Sequence, residues 1–209
     1  MKPLLVLAAF PMVLMGWASC SYSGTGHAAL PDPRAVDKSV PEYKNPFHPS
    51  TYAHFVARKD YRKTYDVYKD DTLLNRQPKK SRKIFVCLDE QRGQYLVDGL
   101  VAMDFPLSSG VKAFPTKTGD YAVISKKEDH TSNLYGKMYD AEGKCSNYNA
   151  KSTDPIPEGG RFDGSPMPYW QRLTNAGLGL HVGRVRRHPV SHGCVRLPRN
   201  VAEILYRQA

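Results

Sequence analysis

The stretch LGLHVGRVRRHPVSHGCVRLP, residues 178–198, decides the reading of this chain. Leu178-Gly179-Leu180-His181-Val182 is a short apolar run of strand length with a histidine set into it. Between His181 and Arg196 lie His188, His192, Cys194 and the arginines Arg184, Arg186, Arg187 and Arg196, with no acid. A thiol amid fixed positive charge should have a lowered pKa, and the thiolate is the nucleophilic form. A nearby histidine can take the proton and later return it to a leaving amine. Gly193 permits a tight turn, so that successive backbone N–H groups would face a reacting carbonyl. Residue types alone leave three readings open. The cluster is a structural thiol among surface histidines, a Cys/His zinc site, or a Cys–His nucleophilic enzyme. The spacing H-x6-H-x3-H-x-C matches no standard zinc pattern.

Working outward, Ile84-Phe85-Val86-Cys87-Leu88 reads as a buried strand near the start of the main domain. Tyr95–Val97 and Leu100–Met103 flank Asp98-Gly99, a dipeptide that accepts positive φ at both positions, so these arms form a two-residue hairpin. Tyr121-Ala122-Val123-Ile124-Ser125 is another strand. Residues 126–168 are polar and rich in Gly, Pro and Asp, and read as a long excursion; a loop of that length is unusual unless it shapes a site. Near the end, Asn200 is placed to cap a helix, with Glu203 in the reciprocal position. Val201, Ile204 and Leu205 share its apolar face.

Composition agrees with a β-rich enzyme-sized domain. The 209 residues are 41% hydrophobic and 24% charged, which excludes wholesale disorder and fibrous rods. The length suits one domain with a tail. With 16 Gly, 16 Pro and 13 Tyr, turns and aromatics favour strands over a helical bundle. The net charge is +10, and the arginine-rich segment gives a field that attracts carboxylates without distinguishing one anion from another. Four cysteines are too few for a disulfide scaffold.

The remaining motifs carry a resemblance. Ser191-His192-Gly193-Cys194-Val195-Arg196-Leu197, preceded by a histidine in an apolar strand, resembles the catalytic domain of the L,D-transpeptidases, the YkuD-like family. Phe105-Pro106-Leu107-Ser108-Ser109-Gly110, Thr116-Lys117-Thr118-Gly119-Asp120-Tyr121 and Met167-Pro168-Tyr169-Trp170 are similar to further segments of it, with Lys117 where Pro is usual. The resemblance covers roughly residues 83–206. It implies a mainly β, sandwich-like fold with a few short helices, the nucleophile at a strand-to-loop turn, and a long loop over the active site. It implies Cys194 as nucleophile and His181 as general base, oriented through the carbonyl of the residue after it. His192, Gly193 and Cys194 would supply oxyanion amides. Ser191 and Arg196 would hold the motif loop and help orient a substrate carboxylate. Tyr169, Trp170 and Arg184 would line the cleft. The implied substrate is a peptidoglycan stem peptide, cut before its terminal D-Ala by cofactor-free acyl transfer to an amine, either on another stem or on an envelope protein. Water in place of the amine would give an L,D-carboxypeptidase. A wall-binding lipoprotein without catalysis is the reading from a different class. Family members usually continue into a further strand, so the end at Ala209 reads as a possible truncation.

The amino terminus reads as an export address. Lys2 precedes an apolar run from Leu4 to Met15, too short to span a bilayer and proportioned like a secretory core. Trp17-Ala18-Ser19-Cys20 resembles the lipobox of bacterial lipoproteins, with Trp17 where an aliphatic residue is preferred; Cys20 would be the lipidated residue. Residues 1–20 are thus a signal peptide and 21–50 a flexible tether. Residues 51–82 flank the catalytic domain of 83–209. In this flank Tyr52, Phe55, Tyr61, Tyr65 and Tyr68 alternate with basic residues, a pattern that nucleic-acid binding can produce. For an exported protein it reads instead as a flap packing its rings onto the domain, with no nucleic-acid partner. Cys87 and Cys145 would be able to pair in an oxidising compartment. His27, His48, His54 and His130 read as surface residues.

Overall fold

The computed structural model describes residues 32–78 and 81–208. The signal-peptide reading, Cys20 and His27 lie outside them. The described elements run α1 (Tyr52–Ala57), β1 (Tyr68–Lys69), α2 (Asp71–Leu74), β2 (Arg82–Cys87), β3 (Arg92–Val97), β4 (Leu100–Pro106), β5 (Ser125–Lys127), β6 (Thr131–Tyr139), β7 (Cys145–Lys151), β8 (Arg161–Pro166), β9 (Trp170–Arg172), β10 (Gly179–Val182), β11 (Val195–Leu197) and α3 (Arg199–Gln208).

The strands form three sheets, ordered β1-β4-β3-β2, β11-β10-β9-β5 and β7-β6-β8. Alternation explains how the first two meet. Ile84, Val86, Tyr95, Val97, Met103 and Phe105 from one sheet share a buried cluster with Leu180, Val195 and Leu197 from the other. Val201, Ala202 and Leu205 of α3 close that core. This is the expected mainly β, sandwich-like arrangement. The Asp98-Gly99 hairpin forms with φ of 52° and 86°, joining β3 to β4 as the sequence predicts.

Several local expectations are corrected. Residues 126–168 are not a loop: most of them build the β7-β6-β8 sheet. Only Gly136, Met138 and Ala150 are buried in those strands, so no continuous apolar alternation marks them. Of the strand expected at Tyr121–Ser125 only the last residue lies in β5; Tyr121 and Val123 pack on the core, and the Ile124 amide donates to the Arg172 carbonyl. Asn200 does not cap α3. The Ala202 amide donates to the Pro198 carbonyl, so the helix starts before Asn200, and Glu203 pairs with Arg207 instead. Cys87 and Cys145 are not bonded to each other.

The outer face of the first sheet is covered by the flank. Arg92, Gln94 and Asp104 sit on that face, at 2% exposure for Arg92 and 0% for Asp104. Arg92 Nε donates to Asp104 Oδ1 at 2.6 Å. The hydroxyls of Tyr52 and Tyr61 both donate to Asp104 Oδ2 at 2.8 Å. The Arg92 guanidinium lies over the rings of Tyr61 and Phe55, at 4.9 and 5.3 Å from their centroids. Burial and the facing carboxylate raise the pKa of both tyrosines, keeping them as donors. Residues 32–50, the later part of the expected tether, run against α1. Lys38 donates to the Val56 carbonyl, Tyr43 to that of Ala57 and Asn45 to that of His54. His54, expected on the surface, is half-buried with Nδ1 on the Phe47 carbonyl at 2.9 Å.

The buried ion pair generates a test. Asp104→Ala leaves Arg92 charged and unpaired in the interior and should cost about 3–5 kcal/mol in urea unfolding. Tyr61→Phe removes one of several acceptor-satisfying bonds and should cost about 1 kcal/mol.

Candidate active site

Strand register builds the site. β10 and β11 run parallel, with Leu180 opposite Val195, His181 opposite Arg196 and Val182 opposite Leu197. Leu180 and Val195 point into the core. The next residues along, His181 and Arg196, therefore share the other face. Cys194 immediately precedes β11, two residues before Arg196, and falls on that same face. The register places the thiol and the imidazole one diagonal step apart although they are thirteen residues apart in sequence.

His181 is 6% exposed, and its Nδ1 lies 2.8 Å from the Val182 carbonyl oxygen. A carbonyl only accepts, so Nδ1 carries the proton and Nε2 keeps a lone pair. Burial pushes the His181 pKa down to about 4; Arg196 and His130 push the same way, and the Val182 carbonyl opposes them. Burial also raises the Cys194 pKa above its ordinary value, against smaller opposing effects from a backbone hydrogen bond at Gly179 and the charge of Arg196. This reverses the lowered thiol pKa expected from the arginine count. The reason is where the arginines go. Arg187 turns to the carbonyls of Thr64 and Glu90, Arg184 and Arg186 are exposed, and only Arg196 stands near the sulfur. The resting pair is a neutral thiol, donating to the Gly177 carbonyl at 3.4 Å, and a neutral imidazole.

The motif loop is braced from inside. Ser191 Oγ donates to the Cys194 carbonyl at 2.5 Å and accepts from the Gly193 amide at 3.1 Å. That second bond occupies one of the three expected oxyanion amides. The amides of His192 and Cys194 make no hydrogen bond among the described residues. Thr116 Oγ1 accepts from the Gly110 amide and donates to the Gly193 carbonyl at 2.7 Å. Gly110 has to be glycine here: a Cβ would stand 2.8 Å from Gly193 Cα and 2.1 Å from the Phe114 carbonyl oxygen. Ser108 exchanges both backbone bonds with Arg196, and buried Gln91 holds Ser109 through side chain and main chain.

The other expected site residues divide. The Arg196 guanidinium is half-buried, with no acid or hydrogen-bond partner among the described residues, and burial lowers its pKa. Trp170 is buried, with its ring centroid 5.9 Å from that of His181, so it walls that imidazole. Tyr169 faces the other way: it packs on Tyr206 and beneath Arg199 of α3 and does not join the site. Arg184 is exposed beyond the end of β10. His192 is exposed but stacks on Tyr135 of β6, centroids 4.1 Å apart, with Phe114 beside it at 4.9 Å. The third sheet therefore touches the motif loop through one ring. His130, expected on the surface, packs its ring against Trp170 at 5.1 Å. Nothing in its polar neighbourhood, Glu128-Asp129-His130, marked it in the sequence. Among the described residues no group of three or more His, Cys, Asp or Glu is placed to hold a metal.

The model of the L,D-transpeptidase catalytic domain, YkuD, matches residues 81–209. The chain belongs to this family. The L,D-transpeptidase of Mycobacterium smegmatis is similar at 22% identity and a TM-score of 0.45, over 58% of this chain and 51% of that one. An L,D-transpeptidase from Stackebrandtia nassauensis is similar at 22% identity and a TM-score of 0.44, over 74% and 60%. The catalytic domain of the Enterococcus faecium L,D-transpeptidase is similar at 27% identity and a TM-score of 0.44, over 62% and 91%. The chain spans about half the length of the first of these and three-fifths of the second. No curated protein matches it. As a YkuD-family chain it carries the catalytic domain of an L,D-transpeptidase.

The buried histidine makes stability pH-dependent. The folded pKa of His181, about 4, lies below its ordinary 6.5, so its contribution is full above pH 6.5 and lost as pH falls toward 4. That loss should reach about 3 kcal/mol. Urea unfolding at about pH 7 and about pH 4.5 should show a smaller loss in His181→Gln than in the wild type; equal losses would refute the assignment.

Proposed function

We propose that this chain is a peptidoglycan L,D-transpeptidase using Cys194 as an acyl-accepting nucleophile and His181 as its general base. The observation that supports this most directly is the neutral His181, pinned at Nδ1 by the Val182 carbonyl, on the same sheet face as Cys194. Family membership supports the reaction class.

In this reading a stem tetrapeptide places its terminal amide carbonyl over Cys194 and a carboxylate on Arg196, whose half-buried charge has no acid among the described residues to satisfy it. The Cys194 proton moves to His181 Nε2 as the sulfur–carbon bond forms. The resulting oxyanion takes the amides of His192 and Cys194, while the Gly193 amide braces the loop through Ser191. Collapse breaks the carbon–nitrogen bond, and His181 returns the proton to the departing D-Ala amine. An acceptor amine then attacks the thioester, gives its proton to His181 and releases the Cys194 sulfur, which is reprotonated from the imidazolium. Two neutral groups suit this sequence: the thiol proton passes to the imidazole as substrate arrives. No step needs a metal or an organic cofactor. The chain would work outside the cytoplasm, exported by residues 1–20 and held to a membrane through Cys20.

Intact-protein mass after incubation with a carbapenem tests the reading. The wild type should gain one acyl adduct and Cys194→Ala none; absence of an adduct on folded, reduced wild-type protein would refute the nucleophile. His181→Ala should slow acylation by about a hundredfold or more, the usual contribution of a positioned base. The wild-type rate should hold to mild acid and fall with an acid limb near pH 4, because His181 must be neutral to accept the proton.

A further inference from the structure

The segment Thr64-Tyr65-Asp66 lies outside the matched family domain, yet it touches the connection that joins the base to the nucleophile. That connection leaves β10 after Val182 and returns at Val195, and no helix or strand stiffens it. Arg187 sits in its middle. Its guanidinium fork is spent on two main-chain acceptors: Nη1 donates to the Thr64 carbonyl at 2.8 Å and Nη2 to the Glu90 carbonyl at 3.1 Å. Arg187 holds φ at 55°, a left-handed backbone uncommon for a residue with a side chain. One residue earlier, the Tyr65 hydroxyl donates to the Arg186 carbonyl at 3.1 Å. The Arg186 amide donates to Ser108 Oγ at 2.8 Å. Ser108 is fully buried and exchanges both backbone bonds with Arg196, two residues past the nucleophile. The flank is itself anchored, since Arg92 donates to the carbonyls of Thr64 and Asp66 while paired with Asp104.

We propose that the flank is part of the catalytic apparatus: Tyr65 and Arg187 act as positioning residues, clamping the 183–190 connection so that Cys194 and His181 keep their mutual placement. Neither residue touches substrate. They act through Arg186, Ser108 and Arg196, and the proposal rests on Cys194 being the nucleophile. The clamp uses the planar fork of arginine, which aims two separate nitrogens at the two carbonyls in a fixed geometry where lysine offers a single nitrogen on a flexible stem. It uses residues that the family model does not reach on one side and a loop inside the family domain on the other.

The experiment uses the mature full chain carrying Arg187→Met, Arg187→Lys or Tyr65→Phe. Tyr65 is more than half exposed, so its variant loses one hydroxyl without disturbing the core. Carbapenem acylation is followed at saturating drug, and folding by thermal denaturation. Arg187→Met should slow acylation about tenfold or more with little change in the half-saturating concentration, since an ångström of misplacement costs about a hundredfold. Arg187→Lys should recover only part of that rate. Tyr65→Phe should slow it about threefold, the size of one modest hydrogen bond. The same proteins are alkylated with iodoacetamide across pH, reading Cys194 by peptide mass. The Arg187→Met profile should move toward that of an ordinary thiol, because a loosened loop admits water to the sulfur. A folded Arg187→Met acylating at the wild-type rate overturns the clamp. So does an unfolded Arg187→Met together with a Tyr65→Phe that acylates normally. If the wild type fails to acylate, the transpeptidase reading falls by itself, and the alkylation profile decides the clamp alone: a shift sustains it and an unchanged profile rejects it.

Discussion

The placement of Cys194 beside His181 depends on one parallel strand pairing, β10 against β11. A parallel pair requires the chain to leave one strand and return to the same end of its neighbour, which takes about a dozen residues or more. Here Gly183–Cys194 makes that return at the lower limit, with no helix to organise it. A short return has little slack, so small shifts in the connection transmit to both strands. Its bracing follows from that: Ser108 and Ser109 bond it along one side, Thr116 pins Gly193, and the flank holds Arg186 and Arg187 from beyond the domain.

The same constraint sets the electrostatics. Bringing Cys194 and His181 together on a sheet face beneath Trp170 removes water from both. Desolvation disfavours the ionised form of each group, raising one pKa and lowering the other. Four arginines in the sequence argue for a thiolate only if they stand near the sulfur. One does, and its influence is smaller than that of burial. Counting charges along a chain thus predicted the wrong direction, because side-chain heading, which the sequence does not display, decides which charges a group feels.

The legible parts of the molecule were those written in local pattern. The Asp98-Gly99 turn needs only two residues to specify it. The Ser191–Arg196 motif carries its own bracing chemistry in Ser191, and His181 sits in an apolar strand beside a carbonyl donated by its own neighbour. What escaped was set by tertiary context. The β7-β6-β8 sheet pairs strands with one thinly buried face, so it lacks the alternation by which strands are recognised; its pairings rest on glycine at 136 and 164, where a Cβ would meet a facing carbonyl oxygen at 2.0 Å. Tyr169 and Trp170 are adjacent but part at the turn entering β9, where Tyr169 holds φ at 54°: Trp170 packs beside His181 and Tyr169 on α3. His130 joins the site's surroundings through Trp170 of β9, whose ring lies 5.1 Å from its own and 5.9 Å from that of His181.

A sheet whose outer face carries Arg92, Gln94 and Asp104 could have been left to water, where an ion pair is worth little. Instead the rings of Tyr52, Phe55 and Tyr61 cover it, and the cover is tolerable only because every charge beneath is met: Asp104 by Arg92 and two hydroxyls, Arg92 by Asp104, two carbonyls and two ring faces. Such a network gives the flank one docked geometry, since any displacement strands a buried charge. In the proposed clamp, that fixed geometry makes a segment outside the family domain a reference point for the loop between His181 and Cys194. Thr64 is where the two meet: its carbonyl accepts from Arg92 of the polar core and from Arg187 of the connection between His181 and Cys194.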